Sequence, residues 1–258
     1  MKAHFGQNFL VDRNIARKIV NSANVLTSDT IIEIGPGHGI LTDDLKNKSD
    51  EIIAVEIDKK LVLKLSEKYK NQKNIKIINE DFLKYNLPEK QKLKFIGNLP
   101  YCVSCAIIFK ILSLSNWDIA VFMVQKEVAK RIKSQLNSSD YGVLAIACQV
   151  KCSVEKIFDV PNTCFNPMPK VTSTVIRLKR LKKPLIEENE EKNFFRIVKS
   201  SFLYRRKTIL NSLSLTFPVD TFHKKFLEEK IIQAGILPNS RAGTISIDDF
   251  IRLSKILV

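Results

Sequence analysis

Residues 30–39 read Thr-Ile-Ile-Glu-Ile-Gly-Pro-Gly-His-Gly, a short β-rich run that passes directly into a glycine-rich turn. A helical pattern begins just after this turn, near Ile40-Leu41-Thr42. Strand, glycine turn and helix together form the usual cradle of a nucleotide-type cofactor, because glycine lets the backbone approach a ligand without a Cβ in the way. The stretch therefore predicts an α/β sheet with a ligand site at the end of its first strand.

Three further strands are predicted downstream, and each ends in polar or aromatic residues. The strand ends are Glu56-Ile57-Asp58, Asn79-Glu80-Asp81 and Asn98-Leu99-Pro100-Tyr101. Strands and helices alternate as far as about residue 180, which predicts a mainly parallel sheet with helices on both faces. Since ligands of open α/β sheets bind at the carboxyl ends of the strands, we expect these strand ends to surround one site.

The glycine spacing and the acids that follow it favour S-adenosylmethionine over a dinucleotide. The turn has the form G-x-G-x-G, whereas pyrophosphate-binding turns have the form G-x-G-x-x-G. Glu56 lies 21 positions after Gly35, close to the roughly 20-residue offset of an acid that binds ribose hydroxyls. Asp81 is a suitable acceptor for an adenine amino group. NAD is the alternative cofactor.

The motif at residues 98–101 is suited to holding a flat heterocycle by an exocyclic amino group. The Asn98 carboxamide oxygen and the Leu99 carbonyl oxygen can both accept hydrogen bonds from an NH2 group. The Tyr101 ring can stack on a base, a contact worth roughly 1–3 kcal/mol. Taken alone, the same four residues also fit an ordinary turn.

A second aromatic candidate, Phe165, opens a proline-rich loop at residues 165–171. The prolines stiffen this loop and would display Phe165 at its start. One interpretation is that Phe165 faces Tyr101 across a target base. The alternative is that its ring fills the core beneath a surface turn.

Composition indicates a globular chain with one large domain and a small companion. The chain has 258 residues, of which 45% are hydrophobic and 27% charged. From about residue 181 the pattern is helical without clear strands, so we predict an α/β domain at 1–180 and a helical domain at 181–258. No apolar run reaches the roughly 18 residues of a membrane span. The N-terminus leaves no room for a targeting peptide, so we expect a cytoplasmic location.

The formal net charge of +15 favours a polyanionic partner, and nucleic acid is the usual one. The alternative is solvated surface charge in a lysine-rich protein. Arginine pairs bind phosphates well, so we identify Arg205, Arg206 and Lys207 as candidate RNA-binding residues. Cys102 and Cys105 form a C-x-x-C pair that could suggest a structural zinc site, but the three histidines are far apart and supply no ligand cluster. We therefore interpret the five cysteines as free thiols that act as small hydrophobic residues, and we expect no metal site.

The chain resembles the KsgA family of ribosomal RNA adenine dimethyltransferases. The matching segments run in family order at residues 6–10, 35–42, 55–58, 79–81, 98–101, 141–142, 165–171 and 205–208. The related Erm methyltransferases, which act on large-subunit RNA, usually have Ile where Leu99 stands, and generally lack the phenylalanine-proline loop in this form. The chain departs from the family at Cys102-Val103-Ser104, where Asn-Ile-Ser is common, and at Arg241-Ala242-Gly243, where Arg-x-Glu is common.

The resemblance implies a fold, a cofactor and a set of site residues. The fold would be a Rossmann-like, S-adenosylmethionine-dependent methyltransferase sheet over residues 1–180, with a small, all-helical C-terminal domain over residues 181–258 that binds RNA or the ribosome. The residues that would bind S-adenosylmethionine are Asn8, Leu10, Gly35, Glu56, Asp81 and Asn98. The residues that would act on the target base are Asn98, Leu99, Pro100, Tyr101 and Phe165, with Tyr101 and Phe165 stacking on its two faces.

The resemblance also implies a substrate. It would be a pair of adjacent adenines near the 3′ end of small-subunit ribosomal RNA, each dimethylated at N6 within an immature small ribosomal subunit. We expect the enzyme to be a monomer with no membrane partner. Two other functions fit parts of the sequence: an assembly factor that has lost the activity, and an enzyme acting on large-subunit RNA or DNA. Intact Glu56, Asp81, Asn98 and Tyr101 argue against the assembly factor.

Overall fold

The computed structural model describes residues 8–89, 92–217 and 224–257, so Gly6 and Gln7 of the first matching segment lie outside the described part. The chain divides into two compact units, residues 1–129 with 153–180, and residues 130–152 with 181–258. The chain passes from the first unit to the second after residue 180, the position at which the sequence predicts a domain boundary. Residues 130–152, however, group with the second unit. Their helix is buried almost throughout, among apolar side chains of the C-terminal helices.

Nine strands account for the sheet structure of the described residues. They are β1 Phe9–Leu10, β2 Thr30–Ile34, β3 Glu51–Glu56, β4 Ile75–Asn79, β5 Leu93–Asn98, β6 Trp117–Gln125, β7 Cys152–Val160, β8 Phe165–Asn166 and β9 Ser173–Arg180. The main sheet has the order β4-β3-β2-β5-β6-β9-β7, and β1 pairs with β8 separately. The five strands β4, β3, β2, β5 and β6 are parallel to one another, whereas β9 runs antiparallel to β6. The predicted α/β, mainly parallel sheet is confirmed.

Strand β2 lies at the centre of the parallel region and is buried along its whole length. It pairs with β3 from Thr30 opposite Glu51 to Ile34 opposite Val55, and with β5 on its other side. Strands buried on both faces show continuous apolar runs rather than alternation. Glu33 is the charged exception in β2, and it is fully buried.

The helices of the first unit are short and bury one side only. They are α1 Arg13–Ser22, α2 Ile40–Leu45, α3 Lys59–Lys68, α4 Ser104–Leu112 and α5 Lys126–Ile132, the last of which crosses into the second unit. Asp12 caps α1 by accepting hydrogen bonds from Asn14 N and Ile15 N. Within the described ranges, no helix combines the length and apolar character needed to cross a membrane.

The second unit is helical, as predicted for the C-terminal region. Its main helices are α6 Val143–Lys151, α7 Glu188–Leu203, α8 Ile209–Thr216, α9 Lys224–Gln233 and α10 Ile247–Ile256. Their apolar faces form one core, with Phe194 and Ile197 of α7 packed with Phe250 and Leu253 of α10. This core also includes side chains of α6, which comes from the middle of the chain. The second unit is therefore built from two separate segments of the sequence.

Candidate active site

The carboxyl ends of β2, β3 and β5 open onto one cavity in the first unit, here called the strand-end cavity. The predicted residues that line it are Asn8, Leu10, Gly35, Glu56, Asp81, Asn98, Leu99, Pro100 and Tyr101. Because β2 is parallel to both neighbours, the three strands end at the same edge of the sheet. The structure therefore brings together the predicted cofactor-binding residues and the whole motif at residues 98–101.

The glycine turn between β2 and α2 forms one wall of the strand-end cavity. Gly35 has a φ of +63°, in the left-handed region that favours glycine. Its backbone N–H donates to Val55 O at 3.0 Å, which anchors the turn to β3. Apart from Gly35 itself and its two chain neighbours, no atom of the described residues lies within 4 Å of the place where a Cβ on Gly35 would stand. The turn thus offers open backbone to a ligand.

Phe9 and His38 also line the strand-end cavity, although neither was predicted to be a site residue. Phe9 packs on the glycine turn so closely that a Cβ on Gly37 would lie 2.9 Å from its ring. The Phe9 and His38 ring centroids are 4.4 Å apart, with the planes tilted by 48°. The available sequence signal was the position of Phe9 between two predicted cofactor residues.

Glu56, the last residue of β3, is 3% exposed. Its Oε2 accepts a hydrogen bond from Gly37 N at 3.1 Å, and its Oε1 accepts one from Asp58 N at 3.0 Å. Burial raises the pKa of Glu56, and these backbone donors lower it again in part. Each carboxylate oxygen keeps a lone pair for another donor, so the group can bind two ribose hydroxyls. Asp58 instead caps α3.

Asp81 begins a tight turn after β4. Its Oδ1 accepts from Leu83 N at 2.9 Å, and its carbonyl oxygen accepts from Lys84 N and Tyr85 N. Its Oδ2 has no hydrogen-bond partner among the described residues. That oxygen is the acceptor available for an adenine amino group.

Lys110 of α4 holds this turn in place, and the sequence analysis did not identify it. Its Nζ donates to Phe82 O and to Tyr85 O, both at 2.7 Å, and lies 5.1 Å from the centre of the Phe82 ring. Burial lowers the pKa of Lys110. Lys110 lies 25 and 28 residues from these two partners in sequence, so no local sequence pattern predicts the contacts.

Asn98 ends β5 and lines the strand-end cavity. Its Nδ2 donates to Asn8 O at 2.9 Å. A carbonyl oxygen only accepts, so this contact identifies the NH2 end of the carboxamide and leaves Oδ1 as the acceptor. The segment at Asn8 therefore orients the group that was predicted to hold the target amine.

The rest of the motif is held by the neighbouring strands of the sheet. Leu99 is 1% exposed, and its N–H donates to Met123 O at 3.0 Å. The Tyr101 hydroxyl lies 3.0 Å from Ser173 Oγ, at the start of β9. These contacts fix the backbone of the motif and the far end of the Tyr101 ring.

Phe165 lies in the core of the first unit and does not line the strand-end cavity. It is 4% exposed and stands opposite Leu10 in the antiparallel pairing of β8 with β1. The expectation that its ring faces Tyr101 across the cavity is therefore not met in this structure. The physical reason is that a large apolar ring gains more from burial beside Leu10 than from exposure at a loop.

The charges around the strand-end cavity fit S-adenosylmethionine. Its acidic residues are Glu56, Glu80 and Asp81, and no lysine or arginine is among its described lining residues. These carboxylate acceptors suit a cationic nucleoside and disfavour a pyrophosphate, which needs positively charged partners. Glu56 would bind the ribose and Asp81 the adenine, beside the open glycine turn. When bound, S-adenosylmethionine supplies a methyl group activated by a sulfonium.

Residues 1–258 match the family model described as "Ribosomal RNA adenine dimethylase". The chain belongs to the ribosomal RNA adenine dimethylase family. Among similar proteins, "Ribosomal RNA small subunit methyltransferase A" of Streptococcus thermophilus is 41% identical over 265 residues, which covers 99% of this chain and 91% of that protein. The protein of the same name from Caldanaerobacter subterraneus is 39% identical, covering 99% and 97% respectively.

Two solved structures share the dimethylase architecture. A dimethyladenosine transferase from Plasmodium falciparum superposes with a TM-score of 0.80 at 26% identity, over 95% of each chain. The 23S rRNA methyltransferase ErmE superposes with a TM-score of 0.72 at 28% identity, over 97% of this chain and 99% of that one. The predicted family, methyltransferase fold and S-adenosylmethionine-dependent rRNA dimethyltransferase activity are confirmed.

The predicted RNA-binding cluster of the dimethylase lies in the second unit, between α7 and α8. Nη2 of Arg205 donates to Ser139 O at 2.7 Å and to Tyr141 O at 2.9 Å. Arg205 therefore helps to hold a neighbouring loop of its own unit. Arg206 and Lys207 are exposed. They are the members of the cluster best placed to contact phosphates.

Proposed function

We propose that this dimethylase transfers methyl groups to N6 of two adjacent adenines near the 3′ end of small-subunit ribosomal RNA. It would act as a monomer in the cytoplasm, on an immature small subunit. The orientation of the Asn98 carboxamide is the main support for an adenine amine as the methyl acceptor, since Nδ2 donates to Asn8 O and Oδ1 remains available to accept a hydrogen bond from the amine. Relatives named for the small subunit support that choice of RNA.

Asn98 and Leu99 would activate the amine by accepting its two hydrogens. The exocyclic amine of adenine is a poor nucleophile, because its lone pair is delocalised into the ring. Hydrogen bonds to Asn98 Oδ1 and to the Leu99 carbonyl oxygen would favour a tetrahedral nitrogen whose lone pair faces the methyl donor. Catalysis would then come from positioning and from electrostatics, without a strong base, since the proton can leave after transfer.

Tyr101 would hold the flipped base by stacking. Extrusion of a base from its stack costs a few kcal/mol, which a stacking partner can offset. The contact between the Tyr101 hydroxyl and Ser173 would restrict the ring and lower the entropy lost on binding. We assign Phe165 the separate role of holding Leu10, and with it β1, against the strand-end cavity.

The direct test is methyl incorporation with labelled S-adenosylmethionine. Immature small subunits from a strain that lacks the enzyme should gain label as N6,N6-dimethyladenine at two adjacent positions. Large subunits and DNA from the same strain should gain none. Label in large-subunit RNA, or binding of small subunits without any transfer, would contradict the proposal in favour of the two alternative functions.

Glu56→Gln is expected to weaken S-adenosylmethionine binding by roughly 10- to 100-fold, because the change removes a charged acceptor and directs an NH2 group at backbone donors. Isothermal calorimetry measures the effect. Glu80→Gln removes one charge from the same cavity wall and is the matched control, expected to change affinity less than threefold. Because burial raises the pKa of Glu56, wild-type affinity should decline with falling pH sooner than an exposed carboxylate would allow. Equal affinity of both variants would exclude ribose binding by Glu56.

Arg206→Ala combined with Lys207→Ala is expected to lower the slope of log K against log salt for RNA binding. Each phosphate contact contributes roughly 0.7 to 0.9 to this slope, so two lost contacts remove between about 1 and 2. Filter binding over a salt series measures it. Lys64→Ala with Lys73→Ala, which removes two exposed lysines of the first unit, is the charge-matched control. The cluster is not an RNA contact if both pairs give the same slope.

A further inference from the structure

Tyr69, the residue that follows α3, contacts the glycine turn but is not among the residues that line the strand-end cavity. Tyr69 is 5% exposed, and its hydroxyl lies 2.9 Å from Gly39 O and 2.9 Å from Asp43 Oδ1. Gly39 ends the turn, and Asp43 lies in the first turn of α2. One phenol therefore joins the turn to the helix that follows it.

Lys68 extends the same contact. Its Nζ donates to His38 O at 3.3 Å and to Asp43 Oδ2 at 2.8 Å. The Asp43 carboxylate thus binds both Tyr69 and Lys68, one with each oxygen. We call Asp43, Lys68 and Tyr69 the turn clamp.

The turn clamp packs closely against the glycine turn, and the Tyr69 hydroxyl stays protonated. A Cβ on Gly39 would lie 2.5 Å from the Tyr69 hydroxyl oxygen and 3.0 Å from Leu65 Cδ2, so no space separates the turn from the clamp. Burial, together with the nearby Asp43 carboxylate, raises the pKa of Tyr69 above its ordinary value. Tyr69 is therefore a hydrogen-bond donor throughout the neutral range.

None of the three clamp residues lines the strand-end cavity, whereas Gly37 and His38 of the turn do. The geometry points to Tyr69 as a positioning residue: its hydroxyl, with the Lys68–Asp43 pair, holds the glycine turn in the shape that receives S-adenosylmethionine. Affinity depends on this because a turn that is already ordered loses less entropy when the ligand binds. The inference rests on cofactor binding in the strand-end cavity, and it adds residues that act through the turn.

Tyr69→Phe tests the inference, because it keeps the ring and its packing and removes only the hydroxyl. We expect the dissociation constant for S-adenosylmethionine, measured by calorimetry, to rise about 5- to 10-fold. Amide hydrogen exchange of the ligand-free protein should accelerate at residues 37–43. Tyr141→Phe is the matched control, since the buried Tyr141 hydroxyl donates to Ile245 O at 3.4 Å in the second unit. It should change neither quantity.

Asp43→Asn provides a second, independent variant with the same side-chain shape. If the clamp acts as a unit, the combined Tyr69→Phe/Asp43→Asn variant should bind only slightly more weakly than either single variant. Wild-type affinity and exchange rates in Tyr69→Phe would overturn the inference, and Glu56→Gln would still report on cofactor binding. Failure of the wild-type protein to bind S-adenosylmethionine would instead overturn the proposed function.

Discussion

Asn98→Ala is expected to lower the rate constant for methyl transfer by roughly 100- to 1,000-fold, the loss typical of removing one preorganised group that acts on the reacting atoms. The carboxamide oxygen would accept one hydrogen of the target amine, so its loss returns the nitrogen to its delocalised, planar state. The same change removes the bond from Asn98 Nδ2 to Asn8 O, which is 2.9 Å long. We expect this second loss to weaken S-adenosylmethionine binding by no more than about 10-fold.

Single-turnover transfer to immature small subunits separates the two effects, because it measures chemistry at saturating cofactor. Asn74→Ala is the matched control. The Asn74 amide also donates to backbone carbonyls of the first unit, those of Lys46 and Ser49, but it does not line the strand-end cavity. It should cost stability and leave the rate constant unchanged. A rate constant for Asn98→Ala within 10-fold of wild type would remove Asn98 from the chemical step.

Glu33→Gln is expected to change how stability depends on pH. Glu33 lies in β2 with no exposed surface, and its Oε2 accepts a hydrogen bond from Thr42 Oγ1 at 2.6 Å. Its Oε1 has no hydrogen-bond partner among the described residues. Burial, with smaller contributions from the Glu56 and Asp43 carboxylates, raises the pKa of Glu33 to about 7. The hydrogen bond from Thr42 opposes this shift.

The sign of the effect follows from linkage. The unfolded chain releases this proton near pH 4.5, whereas the folded protein retains it up to about pH 7. Stability from Glu33 is therefore fully present below pH 4.5 and is lost as pH rises through 7, by about 3 kcal/mol in total. Glutamine does not titrate, so the variant should lack this loss. The amide changes the free energy of unfolding by an amount that does not depend on pH. The stability of the variant relative to wild type should therefore increase as pH rises.

Urea unfolding at intervals from pH 5 to pH 8.5 measures the difference. The free energy of unfolding of Glu33→Gln minus that of wild type should rise up to about pH 7 and level off above it. Glu67→Gln, which changes an exposed glutamate of α3, is the control and should show no such rise. Parallel profiles for Glu33→Gln and wild type would mean that Glu33 does not retain its proton in the folded state.

The parts of the fold that depend on local sequence were predictable. The apolar runs at Thr30–Ile34 and Leu93–Asn98, together with the glycine turn after the first, define a parallel sheet and the edge where ligands bind. The predicted cofactor-binding residues could be placed at this edge, because the carboxyl ends of neighbouring parallel strands lie side by side. Gly35 and Glu56 were found in this way.

The features that depend on distant partners were not predictable. Phe165 is buried because β8 pairs with β1, more than 150 residues away, and Arg205 contacts carbonyl groups 64 and 66 residues away. Tyr69 reaches the glycine turn across 26 to 30 residues. Each of these side chains has an unremarkable local sequence, so its role is set by tertiary packing alone.

The burial of α6 among later helices has a consequence for synthesis. Nearly all of its side chains are buried, and the Lys151 ammonium pairs with Glu191, which is made 40 residues later. At translation speeds of roughly 5–20 residues per second, the nascent chain waits several seconds before α7 can cover this helix. During that interval the apolar side chains of α6 lack the later helices that cover them in the folded protein, so this segment is exposed to aggregation until α7 has been made.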